Sequence, residues 1–257
     1  MNDVQKKDPA SYGEREYRKI GDTKGLLSTQ VAVKETDLQI LAPVDVTEAA
    51  THFIIQYRNQ LENYLARLPA FIEALSPLDD DPTAPPMIRE MLKAGLVTGV
   101  GPMAAVAGVI AEYVGRGLLA RDDCGEVIVE NGGDIFIKRN KDCTAAIYAG
   151  ESPLSYKVGI RIPARSMPVG ICTSSGTVGH SLSLGRSDSV SVISQSTALA
   201  DAAATRLGNE VGKGGDIGPA LDLAAKIPGL GGVVIVVGEE LGAWGQVELV
   251  DIQNKDG

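Results

Sequence analysis

Asp201 and Thr205 stand four positions apart in Ala200-Asp-Ala-Ala-Ala-Thr205. On a helix that spacing puts both on one face. A carboxylate and a hydroxyl among alanines, which let a ligand come close, suit a hard cation such as magnesium. The same residues also fit an ordinary helix in which Thr205 bonds back to a carbonyl. A second segment, Cys172-Thr-Ser-Ser-Gly-Thr-Val-Gly-His180, follows a predicted strand. Thr173, Ser174, Ser175 and Gly176 offer hydroxyl and backbone donors to a phosphate or an oxyanion. His180 is the histidine beside this loop, and its charge changes near neutrality, as a general base or a donor to a leaving phosphate requires. The alternative is a solvated loop with an incidental histidine.

Two glycine-containing turns complete the candidate set. Glu130-Asn131-Gly132-Gly133-Asp134 joins two strands with residues tolerant of unusual backbone angles, flanked by two acids. Asn-Gly is equally the ordinary sequence of a hairpin turn. Gly95-Leu-Val-Thr-Gly99-Val-Gly101-Pro-Met103 precedes a helix opening near Pro102 or Met103. Glycines before a helix start leave N–H groups to face a phosphate, though a tight strand-to-helix turn uses them as well. No Gly-Lys-Ser/Thr follows, which excludes a Walker A loop.

The elements that must hold these residues are legible in part. Alternation through Thr29-Gln-Val-Ala-Val-Lys predicts antiparallel strands before residue 41. Ile54, Tyr57, Leu61, Tyr64 and Leu68 recur at helical spacing behind Asp45 and Glu48, giving an amphipathic helix laid on a sheet. The helix to Leu119 is apolar nearly all round apart from Glu112 and Arg116, so it is buried. Strands follow around 126–130, 134–138, 144–148, 157–162, 169–173 and 189–193, then helices over 197–207 and 219–226. Gly232-Val-Val-Ile-Val-Val and Gln246-Val-Glu-Leu-Val predict a terminal hairpin. Strands in runs favour an α+β fold over a doubly wound sheet.

Composition bounds the function. The 257 residues are 44% hydrophobic, enough for a sizeable core, and 1–257 read as one unit with a loose segment over 1–13. A net charge of −9 without a basic patch argues against nucleic acid. The three cysteines form no CxxC pair and read as reduced thiols. The N-terminus has no apolar signal region and the longest apolar stretch is short of a membrane span, so the expectation is a cytoplasmic protein without a membrane partner.

The order of the motifs, a buried helix, Asn-Gly-Gly-Asp, Thr-Ser-Ser-Gly with a following histidine, then a serine-rich strand leading into Asp-Ala-Ala-Ala-Thr, resembles the ApbE-like superfamily, whose characterised members are FAD:protein FMN transferases. The resemblance covers roughly 99–207. It implies an α+β fold of antiparallel sheets with packed helices and two related subdomains. It also implies FAD or FMN as ligand, magnesium held by Asp201 and Thr205, a phosphate-binding loop at 173–176, and His180 as the catalytic histidine. An acceptor protein bearing a threonine is the partner of such enzymes. Where the transferases carry an aspartate and a lysine at the buried helix, this chain has Gly101 and Ala107, and His180 is followed by Ser-Leu-Ser-Leu. The expectation is a protein that binds a flavin nucleotide or another phosphate-bearing molecule with magnesium. It is either a degenerate FMN transferase or a non-catalytic accessory protein; relatives in a short branch have been associated with sulfur assimilation towards homocysteine.

Overall fold

The computed structural model describes residues 25–176, 187–212 and 215–252. The first hairpin joins β1 (Leu27–Val33) to β2 (Thr36–Ala42), in register from Leu27↔Ala42 to Val33↔Thr36. In β2 every second residue is buried, the period of a strand with one face on a core. Helix α1 (Thr47–Arg67) starts where Asp45 Oδ1 accepts from the Thr47 N–H at 2.9 Å and the Thr47 hydroxyl at 2.6 Å. Its buried stripe is Ala50, Ile54, Leu61 and Tyr64, whereas Leu68 lies past the helix end and is exposed. A short α2 (Ala70–Glu73), α3 (Pro86–Thr98), a 3-10 turn over Pro102–Ala105, and α4 (Val106–Leu119) follow.

The rest of the chain runs β3 (Val127–Asn131), β4 (Asp134–Lys138), β5 (Cys143–Ala146), β6 (Val158–Ile162), β7 (Val169–Ser174), β8 (Ser189–Ser194), α5 (Thr197–Glu210), α6 (Gly218–Ala224), β9 (Leu230–Val237), β10 (Glu240–Gly245) and β11 (Glu248–Asp251). One sheet has the order β1-β2-β3-β4-β7-β8-β9-β10, and a smaller one β11-β6-β5. Every pairing is antiparallel. The fold is α+β, as expected. The large sheet consists of two similar passages side by side: hairpin, helices, hairpin for β1 to β4, and again for β7 to β10. They meet at the β4–β7 seam, in register over Ile135↔Ile171, Phe136↔Gly170 and Ile137↔Val169.

Three apolar clusters hold the layers together. Leu38, Ile40, Val127, Val129 and Phe136 pack under α1, α3 and α4. Cys172, Val190, Val192, Val233 and Ile235 pack under α5 and α6. Ile137, Ile171, Ile193, Val234 and Val236 point to the other face, where the small sheet brings Ile160 and Ile162. Among the described residues one helical stretch, Pro102–Leu119, has the length and apolar character to cross a membrane; 56% of it is buried inside this core.

Two expectations change. The predicted terminal hairpin exists, but the partner of β9 is β10, reached by a two-residue connection with Gly238 at φ 59°. Residues 248–251 leave for the small sheet and pair with β6 instead. The turn at Gly99 joins helix to helix, because Gly95 to Thr98 form the last turn of α3.

Candidate functional site

Strand β3 ends at Asn131 and β4 begins at Asp134, the last pair of their register, so Gly132 and Gly133 are the two-residue turn. Both have positive φ, 68° and 108°, as a turn matched to strand twist demands. Glu130 Oε1 accepts from the Gly133 N–H at 2.8 Å. Asn131 Nδ2 donates to the Ala107 carbonyl at 3.0 Å, which ties the hairpin end to the first turn of α4. The turn is therefore a genuine hairpin, and its amides are partly engaged within the protein.

Asp134 and Phe136 share a strand face, and Phe136 packs against the α4 layer. Asp134 is buried and receives hydrogen bonds from the Cys172 thiol and the Thr173 N–H. Burial pushes its carboxyl up to about 7, with help from the Glu130 charge and against those two hydrogen bonds. Asp201 arrives from α5, and its Oδ2 accepts from the Gly108 N–H of α4 at 2.8 Å. Part of the Asp201 surface is open. Its carboxyl is nevertheless enclosed enough that lost hydration, and then the charge of Asp134, hold it well above the usual carboxylate range, against the pull of the Gly108 and Ala107 N–H groups. The Cys172 thiol lies between the two halves, 3.4 Å from the Thr197 carbonyl oxygen and in reach of Asp134. Burial and the two aspartates drive its titration upward, so it is a protonated donor and not a nucleophile.

The hydroxyl segment is divided by the sheet. Cys172 faces the α5 layer. Thr173 alternates to the opposite face, where its Oγ1 lies 2.9 Å from Ser191 Oγ, itself 3.4 Å from Ser189 Oγ. Thr173 joins Asp134 through its backbone only. Ser174 is buried, and its Oγ has no hydrogen-bond partner among the described residues. Ser175 leads to Gly176, whose N–H donates to the Ser187 carbonyl at 2.9 Å. His180 lies outside the described residues. Thr205 is one turn beyond Asp201 on α5 and partly exposed.

Gly99 and Gly101 have other work than the expected phosphate contacts. Gly99 closes α3 at φ 79°, donating to the Gly95 carbonyl at 2.8 Å. The Gly101 N–H donates to Leu75 O at 3.0 Å, and a Cβ there would fall 1.7 Å from the Ala74 carbonyl oxygen. Their N–H groups are spent inside the protein. The residue that motif reading undervalued is Glu112. It is 2% exposed, and its Oε2 accepts from the Thr197 N–H at 2.7 Å. The signal was a lone acid on an apolar helix, one turn after Gly108.

The arrangement is thus two enclosed carboxyls, Asp134 from β4 and Asp201 from α5, the second held at the first turn of α4 and under the charge of the first. Hard oxygen donors of this kind fit magnesium. Among the described residues no three His, Cys, Asp or Glu side chains gather to hold an ion.

A family model described as AbpE bacteria matches residues 18–238. A UPF0280 protein of Methanococcus maripaludis strain C7 is 42% identical over 236 residues, covering 89% of this chain and 94% of that one. A UPF0280 protein of Methanocaldococcus jannaschii is 39% identical over 231 residues, covering 86% and 92%. Among solved structures, the Pseudomonas stutzeri flavinyl transferase ApbE in its apo form aligns with a TM-score of 0.58 at 15% identity, over 85% of this chain and 94% of that one. The flavin transferase ApbE from Vibrio cholerae aligns with a TM-score of 0.56 at 12% identity, over 85% and 96%. The chain belongs to the AbpE bacteria family and has the ApbE-like fold.

Proposed function

We propose that this protein binds a flavin nucleotide or a closely related phosphate-bearing ligand together with magnesium, and that recognition outlives efficient FMN transfer. The observation that carries the reading is the Asp134–Asp201 pair. Two enclosed carboxyls, with the Asp134 charge acting on Asp201, are costly to hold ionised together without a proton or a cation beside them. Asp201 and Thr205 would hold the ion, with the remaining positions left to ligand phosphate oxygens and water. The ion would supply charge neutralisation at the phosphates. Asp201 is held by the Gly108 N–H, Asn131 anchors the turn to α4, and Asp134 retains a proton near neutrality. His180 is the group proposed to move a proton during any transfer.

Loss of transfer is supported at Gly101, the position where the transferases it resembles carry an aspartate. The Ala74 carbonyl leaves no room there for a side chain. The accessory-protein reading draws on the same observation, since a site without that charge would recognise without reacting. The deciding experiment is calorimetry of the full chain with FAD, FMN and ADP, each with magnesium and with excess EDTA. Binding that strengthens at least about tenfold with magnesium, and loses that gain in Asp201→Asn, supports the reading. No binding of any of the three, or an unchanged magnesium dependence in the variant, overturns it.

A further inference from the structure

We propose that Glu112 is a positioning residue for Asp201, the two carboxylates forming a reciprocal clamp between α4 and α5. Each helix presents an N–H near its start and a carboxylate one turn later. Gly108 N of α4 donates to Asp201 Oδ2 of α5 at 2.8 Å, and Thr197 N of α5 donates to Glu112 Oε2 of α4 at 2.7 Å. From donor to acceptor the spacing is four residues in both helices. Each first turn therefore meets the other helix's carboxylate, where the helix dipole favours negative charge.

The contact is close because position 108 has no side chain: a Cβ there would lie 2.6 Å from the Thr197 carbonyl oxygen and 2.9 Å from Asp201 Cβ. Glu112 is itself braced. Its Oε1 accepts from Arg116 Nε at 2.8 Å and Nη2 at 2.7 Å, and the Arg116 guanidinium lies 5.9 Å from the centre of the Phe136 ring. Thr197 is fully buried, with the Cys172 thiol 3.4 Å from its carbonyl oxygen. In an α-helix that carbonyl is the partner of the N–H of residue 201. A displacement of Thr197 is therefore passed directly to Asp201. Glu112 acts through Thr197 and the helix start, and touches no ligand.

The clamp is tested on the metal-free full chain by amide hydrogen exchange, followed residue by residue by NMR. In Glu112→Ala the Gly108 amide exchanges about tenfold faster or more, as expected for loss of a charge-assisted bond, although neither atom of the Gly108–Asp201 bond has been altered. Glu112→Gln keeps an acceptor for Thr197 and stays within about threefold of the parent. Acceleration at Thr197 alone, with Gly108 unchanged, overturns the proposal. Should Glu112→Ala not fold, Arg116→Met removes the brace and leaves the carboxylate. It is expected to speed both amides by about threefold, and parent-like exchange at both overturns the proposal. The effect on ligand binding rests on the reading of Asp201 as the magnesium carboxylate. There, Glu112→Ala raises the magnesium concentration for half-maximal ADP binding about tenfold while ADP affinity in EDTA stays unchanged. A parent protein without magnesium dependence refutes that reading, and the Gly108 amide still decides the clamp.

Discussion

Replacing Gly108 by alanine sets two physical expectations against each other. Alanine is the better helix former by about 1 kcal/mol, so propensity alone predicts a more stable protein. The structure predicts the reverse. The new Cβ would sit 2.6 Å from the Thr197 carbonyl oxygen, and ordinary contact begins near 3.4 Å. The helices must part by roughly 0.8 Å at that point to relieve the overlap. The Gly108–Asp201 bond, 2.8 Å long, then stretches to about 3.6 Å, beyond hydrogen-bond range. Overpacking costs about 1–3 kcal/mol. The lost bond to a carboxylate costs about 1.5–3 kcal/mol more. Against the propensity gain, the net loss centres on about 3 kcal/mol, which for a chain of this size lowers Tm by roughly 10 °C. Urea and thermal denaturation of Gly108→Ala beside the parent measure it. A variant as stable as the parent, or more so, refutes the close-contact argument.

Other outcomes are as definite. Between pH 5 and 8 the native protein binds more protons at Asp134 than the unfolded chain, so stability falls as pH rises through about 7, by at most about 3 kcal/mol from this group over that range. Asp134→Asn flattens that profile in urea titrations at pH 5, 6, 7 and 8; a parent whose stability rises over this range contradicts the assignment. Ser174→Ala removes a buried hydroxyl without a described partner and changes stability by less than about 1 kcal/mol, whereas a loss above about 2 kcal/mol by thermal denaturation reveals a partner outside the described residues. Incubation with FAD, magnesium and a threonine-bearing acceptor peptide yields little or no flavinylated peptide by mass spectrometry. Rapid modification that disappears in His180→Ala identifies a working transferase.

What the sequence disclosed follows the reach of each interaction. The alternation in β1, the stripe of α1 as far as Tyr64, the apolar α4 and the Asn-Gly-Gly-Asp turn are set by neighbours within a few residues, and each is where the pattern put it. Helix α3 was hidden behind Pro85, Pro86 and two glycines near its end, which read as loop punctuation although proline suits a first helical turn. β10 has little apolar alternation, so the better-patterned residues after it looked like the partner of β9. In the site, the types of Asp134 and Asp201 were legible, but their meeting was not. The bonds that tie α5 and its Asp201 to α4 join residues 85 and 93 positions apart. The division of the hydroxyl segment, with Cys172 on one sheet face and Thr173 on the other, follows from strand parity once β7 is placed beside β4.

The seam between the two passages of the sheet gives the proposed ligand a mechanical meaning. Asp134 lies on one side and Asp201 comes from the other, so neither half of the chain alone owns the pair. Within the large sheet the strand contact between the halves is short, three register positions, and the chain passes from β4 to β7 through the paired β5 and β6 of the small sheet. A ligand held at Asp201 with Asp134 beside it would then be a fastener as well as a cargo. A chain nicked between β5 and β6 should hold together in its presence, with a gain in docking that grows logarithmically once its concentration exceeds Kd. Two separately produced fragments, each carrying one carboxylate, would regain the site only on reassembly, so ligand retention on mixing reports directly on the join.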